Sequence, residues 1–281
     1  MKKLVSLFLA LVLVLSVAGC ALAEEKTTIV IGATPSPHQE VLELIQDDMA
    51  ALGYTLEIIT FTEYPLPNPA LADKQLDANY FQHIPYLTAY NDTVADDEKL
   101  VAAIGVHYEP YGIYAGKTAS LEELADGATL AVTNDPSNET RALMLLQEAG
   151  LITMPEDATV DSSLTVLDIV DNPKNLNILE VDANLIPSML ADVDLAVING
   201  NFALDAGLSP AEDAIFLEAA DSEAGVIYTN YVVIRQEDVD AAWVEALRTC
   251  LCSEKVAEFM LTNEAYKGGV IPAFTVEADA E

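Results

Sequence analysis

Arg141 stands three residues after Asn138, in the segment Asn134-Asp-Pro-Ser-Asn138-Glu-Thr-Arg141. A β-branched run, Thr129 to Thr133, precedes this segment, and a helical pattern from Glu139 to Gly150 follows it. The dense turn signal between them places Asn138 in the turn at the helix start and Arg141 one turn into the helix. A helix N-terminus offers free N–H groups and partial positive charge. A guanidinium beside it adds a planar fork for a carboxylate. Arg141 is one of three arginines in the chain. It serves either this anion-binding chemistry or a surface ion pair with Glu139 or Glu148.

Two further amides fall at strand positions. Asn199 ends the apolar run Leu195-Ala-Val-Ile-Asn199. Its amide can donate to a carboxylate and accept from an ammonium, or it simply forms the turn before Gly200. Asn230 lies within a predicted strand from Val226 to Ile234. It either reaches a ligand from a strand that runs past a cleft or is a polar residue of an edge strand. The segment Asp77-Ala-Asn-Tyr-Phe-Gln-His-Ile-Pro-Tyr-Leu87 concentrates rings in an acidic chain. Phe81, His83 and Tyr86 converge only if the strand ends near Gln82 and Pro85 opens a helix at its first position. Aromatics around a polar handle then make an apolar slot; a core histidine with packed aromatics is the plainer reading.

Catalytic patterns are absent from the sequence. There is no Gly-x-Ser-x-Gly elbow, phosphate loop or Gly-x-Gly-x-x-Gly. His38, His83 and His107 are widely separated and lack zinc-protease spacing, which leaves a histidine metal receptor only if they meet in space. Carboxylate pairs carry no specific signal among 46 acidic residues. No cofactor is implied. Cys250 and Cys252 sit at i and i+2 of a predicted helix and point in different directions, so they read as two small half-buried hydrophobes.

The elements that position these residues alternate strand and helix. Strands are expected at 28–32, 54–61, 78–81, 100–106, 129–133, 177–181, 195–199 and 226–234. Helices are expected at 37–52, 68–74, 84–90, 139–150, 185–190 and 239–261, with Gly53 closing the first. Ser120 and Glu123 form a capping-box pattern that predicts a short helix through Leu124. This order argues for an α/β fold with largely parallel sheets. Two α/β units followed by a late strand imply that the chain crosses to a second lobe and returns. Ligands of open α/β sheets sit at the carboxyl ends of the strands.

The N-terminus bounds the compartment. Met1-Lys2-Lys3 is a positive n-region, and Leu4 to Val17 is an apolar run of signal-peptide length, too short for a comfortable membrane span. Val17-Ala-Gly-Cys20 follows, with small residues before a thiol that can take a diacylglycerol; cleavage after Ala21-Leu-Ala23 is the competing site. The net charge of −34 argues against a basic patch for nucleic acid or anionic lipid.

Motifs along nearly the whole remaining chain resemble the NlpA/MetQ family of lipoproteins, the methionine-binding components of ABC importers. They include Gly32-Ala-Thr-Pro-Ser-Pro-His38, Phe61-Thr-Glu-Tyr64-Pro-Leu-Pro-Asn68, Asp77 to Tyr86 and Val106-His-Tyr-Glu-Pro110. Asn134 to Arg141, Asp171-Asn-Pro-Lys-Asn-Leu176, Ala196-Val-Ile-Asn-Gly-Asn201 and Gly268-Gly-Val-Ile-Pro-Ala-Phe274 complete the set. The Cys250-Leu-Cys252 pair is not part of it. The resemblance implies a two-lobed, periplasmic-binding-protein-like (type II) α/β fold with a ligand cleft between the lobes. It implies residues 1–19 as signal peptide, Cys20 as the lipidated residue and 20–27 as tether. Residues 28–113 with 228–281 would form lobe I and 114–227 lobe II. Arg141 and Asn138 would hold a ligand carboxylate, Asn199 and Asn230 its polar end, and Phe81, His83, Tyr86 and Tyr64 its thioether side. The implied ligand is methionine, with a methionine dipeptide or another apolar amino acid as alternatives. The implied partners are a membrane permease and its ATPase subunit, and the location is the extracytoplasmic face of the cell membrane. A lipoprotein hydrolase and a metal receptor are the readings from other classes.

Overall fold

The computed structural model describes residues 26–219 and 226–275. The predicted signal peptide, Cys20 and most of the tether lie outside them. No helix among the described residues is long and apolar enough to cross a membrane.

Two sheets organise the chain. The first has six strands in the order β11-β4-β10-β3-β1-β2. Its members are β1 (Thr28–Ala33), β2 (Thr55–Thr60), β3 (Ala78–His83), β4 (Leu100–Tyr108), β10 (Asn230–Arg235) and β11 (Ile271–Pro272). The second has five strands in the order β7-β6-β8-β5-β9. These are β5 (Gly112–Ala115), β6 (Thr129–Thr133), β7 (Asn177–Val181), β8 (Leu195–Ile198) and β9 (Ala214–Leu217). β1, β2 and β3 are parallel, as are β6, β7 and β8. The chain leaves the first sheet after Tyr108 and enters the second at Gly112. It returns between Leu217 and Asn230, as β10 inserted antiparallel between β3 and β4.

The parallel strands are buried on both faces, which is why they read as β-branched runs and not as alternations. All six residues of β3 are buried. One core packs Ile29, Ile31, Val41, Leu42, Ile104, Val232, Trp243 and Leu247 about the first sheet. A second packs Ile113, Leu130, Val132, Leu143, Leu146 and Val197 about the second. A third joins Tyr64 and Phe81 to Ile198 and Phe202, so it spans the junction of the two sheets. Cys250 belongs to the first core and Cys252 packs at its edge, both as free thiols.

The sheets are mixed and not largely parallel, because β10 returns antiparallel and the short strands β5, β9 and β11, which were not expected, also pair antiparallel. Local outcomes differ from the sequence reading elsewhere too. The helix expected at 37–52 is two pieces, Glu40–Leu44 and Gln46–Ala51, broken at Ile45, whose ψ of 3° is non-helical; Gly53 closes it at φ +91° as expected. The segment Ser120 to Leu124 is a turn. Only Leu124 of that segment is buried, and one turn of hydrogen bonds without packing does not hold a helix. The helix after β6 starts earlier, at Pro136, because Asp135 caps it by accepting from the Asn138 N–H at 3.0 Å. Asn138 is therefore inside the first helical turn. The strand expected at 226–234 begins only at Asn230, with Val226 and Ile227 helical. β3 runs on to His83, and Pro85 is the second residue, not the first, of the helix Ile84–Asn91.

Candidate functional site

At the junction of the sheets lies a cleft of about 340 Å³, counted out to its mouth. Tyr64, Phe81, His83, Tyr86, Asn138, Arg141, Asn199 and Asn230 all line it. The structure thus brings together every residue that the sequence singled out for binding. It adds Glu109, Gln82, Gly200 and Asn201, which sequence reasoning missed.

Strand ends and helix first turns place most of these side chains, while Phe81 lies within β3 and Tyr64 in the turn before the helix Pro67–Ala72. His83 ends β3 and caps the next helix, its Nδ1 accepting from the Tyr86 N–H at 3.2 Å. Nε2 therefore carries the proton and donates to Asn138 Oδ1 at 3.0 Å. Asn199 Nδ2 donates to the same oxygen at 3.0 Å. Asn138 Nδ2 is turned to the Asp135 carboxylate, at 2.9 and 3.1 Å. Flipping that amide would set two oxygens against the carboxylate, so Asp135 fixes its orientation. Both ends of the Asn138 side chain are thus committed to protein partners.

Arg141 is buried, and its partner is neither Glu139 nor Glu148. Its Nε donates to Glu218 Oε1 at 3.1 Å, and Nη2 pairs with Glu218 Oε2. Nη2 also donates to the Glu109 carbonyl at 3.1 Å. The guanidinium lies 4.0 Å from the Tyr228 ring centroid and 4.8 Å from that of Tyr111. Arg141 is thereby tied to both crossings between the sheets, Glu109 to Tyr111 on one side and Glu218 with Tyr228 on the other. The hydrogen bonds to Glu218 and the Glu109 carbonyl run from Nε and Nη2. Burial alone would raise the Glu218 carboxyl, but the Arg141 charge and hydrogen bonds outweigh it and hold it below the usual range.

Glu109 supplies the opposite charge. It is 5% exposed, and its Oε1 accepts from His107 Nε2 at 2.8 Å. Burial pushes its carboxyl up, while His38, the Asn201 backbone and Arg141 oppose that. The chain passes very close to it: a Cβ on Gly200 would stand 2.5 Å from the Glu109 Cβ, so only glycine fits there. Asn201, one residue on, accepts from the Tyr64 hydroxyl at 2.5 Å through Oδ1, and its buried Nδ2 has no partner among the described residues. A buried orphan donor is expensive unless something accepts from it.

Beneath the cleft, His38 and His107 pack with ring centroids 4.8 Å apart. His38 Nδ1 pairs with Thr34 Oγ1 at 2.9 Å and Nε2 with Asn230 Oδ1 at 3.1 Å. His107 Nδ1 pairs with the Tyr80 hydroxyl. His38, His107 and Glu109 form a group that could hold a metal ion, but His83 is not part of it. The three-histidine metal arrangement is therefore not formed, because β3 carries His83 to the Asn138 side of the cleft. All four ring nitrogens of His38 and His107 already have partners.

Burial pushes His38 down to about 4, and His83 and His107 down to about 3. For His83 the Arg141 charge adds to burial. We expect all three imidazoles to show no titration step near pH 6.5 when their ring proton shifts are followed from pH 8 to pH 5. The sign of the linkage follows: the unfolded chain takes up these protons below about pH 6.5 and the native protein does not, so this contribution to stability is lost as pH falls. An inflection near 6.5 in the folded protein would overturn the buried, neutral assignment.

The cleft therefore has two chemical ends. Arg141, Glu109, Asn199, Asn230 and Asn201 form a polar end that carries both charge signs. Tyr64, Phe81 and Tyr86 form an aromatic end, their centroids 5.5 to 5.8 Å apart. The NlpA lipoprotein model matches residues 29–274. The chain belongs to the NlpA lipoprotein family. Within this family it is 39% identical over 279 residues to the methionine-binding lipoprotein MetQ of Bacillus subtilis strain 168, covering 97% of this chain and 99% of that one. It is also 39% identical to the D-methionine-binding lipoprotein MetQ of Escherichia coli K12, over 93% of this chain and 94% of that one. A nutrient-binding protein of Burkholderia cenocepacia, solved bound to methionine, superposes with a TM-score of 0.82 at 41% identity, covering 88% of this chain and all of that one. The two-sheet α/β architecture of this NlpA lipoprotein is that of periplasmic substrate-binding proteins.

Proposed function

We propose that this NlpA lipoprotein is a non-catalytic receptor that binds methionine and delivers it to the permease of an ABC importer driven by an ATPase subunit. The observation that carries this reading is a single cleft with one guanidinium, one carboxylate and a three-ring aromatic wall. A zwitterionic amino acid presents two opposite charges on one carbon and needs both at one end of its site. Arg141 Nη1 meets the ligand carboxylate, assisted by Asn201 Nδ2, and Glu109 receives the ammonium. Asn230 and Asn199 complete the polar end. Asn138 acts through its neighbours, joining His83 to Asn199 while Asp135 orients it. The aromatic rings take the thioether, where each sulfur–aromatic contact contributes about 0.3–1.5 kcal/mol. The two lobes are built on the two sheets and close about the crossings at 109–111 and 218–229. Lipid on Cys20 holds the receptor at the extracytoplasmic face of the cell membrane, with residues 20–27 as the tether.

The test is isothermal titration of the protein lacking residues 1–20, refolded to remove bound ligand. L-Methionine, D-methionine, methionine dipeptides and other apolar amino acids are compared. Tight one-to-one binding of methionine is expected. Absence of heat and of any melting shift with both enantiomers would overturn the reading and point to the other ligands in the series.

A further inference from the structure

The aromatic end of the cleft is a partition and not a floor. On its far side lies a second groove of about 640 Å³ counted to its mouth, lined by Pro65, Ala89, Tyr90 and Pro136 among others. Tyr64 and Tyr86 line both this groove and the inner cleft. Their rings meet edge to face at 5.7 Å. The two are held differently. Tyr64 is buried, and its hydroxyl is fixed to Asn201. Tyr86 is half-buried, and its hydroxyl makes no hydrogen bond among the described residues. Its ring is held by edge-on packing against Phe81, Tyr64 and His83. The outer groove is mainly apolar, with Asn68, Thr93, Asp135 and Ser137 as its polar lining.

We infer that Tyr86 sets the length limit of the ligand side chain, and that the groove behind it is a subsite for S-alkyl groups longer than methyl. This rests on the reading of the inner cleft as a methionine site. A thioether whose S-alkyl chain extends beyond the aromatic end meets the Tyr86 ring first. Removing that ring joins the two spaces into one channel with apolar walls. Tyr64 cannot serve as the door in the same way, because its hydroxyl bond to Asn201 spans the two sheets.

The experiment titrates L-methionine and S-hexyl-L-homocysteine into the wild type and into Tyr86→Ala, Tyr86→Leu and Tyr86→Phe. Wild type is expected to bind the hexyl compound at least 100-fold more weakly than methionine. Tyr86→Ala should narrow that ratio at least tenfold, and Tyr86→Leu by less. Tyr86→Phe keeps the ring and should narrow the ratio less than Tyr86→Leu does. Equal affinity of wild type for the two compounds would overturn the inference even if no truncated variant folded. So would an unchanged ratio in a folded Tyr86→Ala protein. Failure of wild type to bind methionine at all would instead refute the underlying ligand assignment.

Discussion

Arg141→Ala will lose ligand affinity and fold stability together. Affinity for methionine should fall by at least about 2 kcal/mol, roughly 30-fold, because a charge-assisted contact disappears. Stability should fall by about 3–5 kcal/mol, because Glu218 is left ionised and buried without its counter-charge. The two losses are separable. Glu218→Gln placed on the Arg141→Ala background should recover much of the stability and none of the affinity. Calorimetric titration reads one loss and denaturant unfolding the other. An Arg141→Ala protein of wild-type stability would contradict the buried pair. The pair also sets a pH dependence. Since the Glu218 carboxyl is held below its ordinary 4.5, its stabilisation is fully present above that pH. It fades as pH falls through the depressed value.

Glu109→Gln should do the reverse, removing binding while leaving the fold intact or firmer. Glutamine keeps the acceptor for His107 and the shape beside Gly200. It cannot neutralise an ammonium, so methionine affinity should drop about 100-fold, in the range for a buried charged partner. The fold does not suffer, because the carboxyl is pushed up by burial. Such a group disfavours the native state as pH rises from its unfolded value through the raised one, and the amide has no such term. The wild type should discriminate strongly against 4-(methylthio)butanoate, which lacks the amine, and the variant should not. Wild-type affinity for methionine in Glu109→Gln would remove Glu109 from the site.

Much of this was legible before any coordinates. Most of the strand and helix order came through because parallel strands are β-branched runs and the helices carry apolar faces; the short antiparallel strands β5, β9 and β11 did not. Tyr64 came only from the family resemblance; the other seven binding candidates were polar or aromatic residues in strand, turn and helix-start segments. Glu109 and Asn201 escaped notice for a physical reason. One glutamate among 46 acidic residues has no distinguishing spacing, and its burial follows from where the chain crosses between sheets. Glu218 was equally hidden, because it meets Arg141 from 77 residues away. The only hint was Gly200 following Asn199: a residue without a side chain leaves room for one from elsewhere. Element boundaries failed where side chains chose between alternatives, as when Asp135 capped its helix and drew Asn138 into the first turn, or when Val226 and Ile227 joined a helix despite their β-branched character.

The attachment of Arg141 to both crossings has a mechanical consequence. When two bodies rotate about an axis, displacement grows with distance from it, and points on the axis scarcely move. On the proposed closure about the crossings, Arg141 sits at that axis, bonded to the Glu109 carbonyl on one crossing and Glu218 on the other. The Tyr64–Asn201 and Ser36–Asp205 hydrogen bonds join the sheets away from it. Opening therefore stretches the outlying bonds first and leaves the guanidinium nearly still. In the proposed receptor, a bound amino acid keeps its charged end anchored at the pivot while its side chain is uncovered, so release is expected to proceed tail first, with the carboxylate the last group to let go.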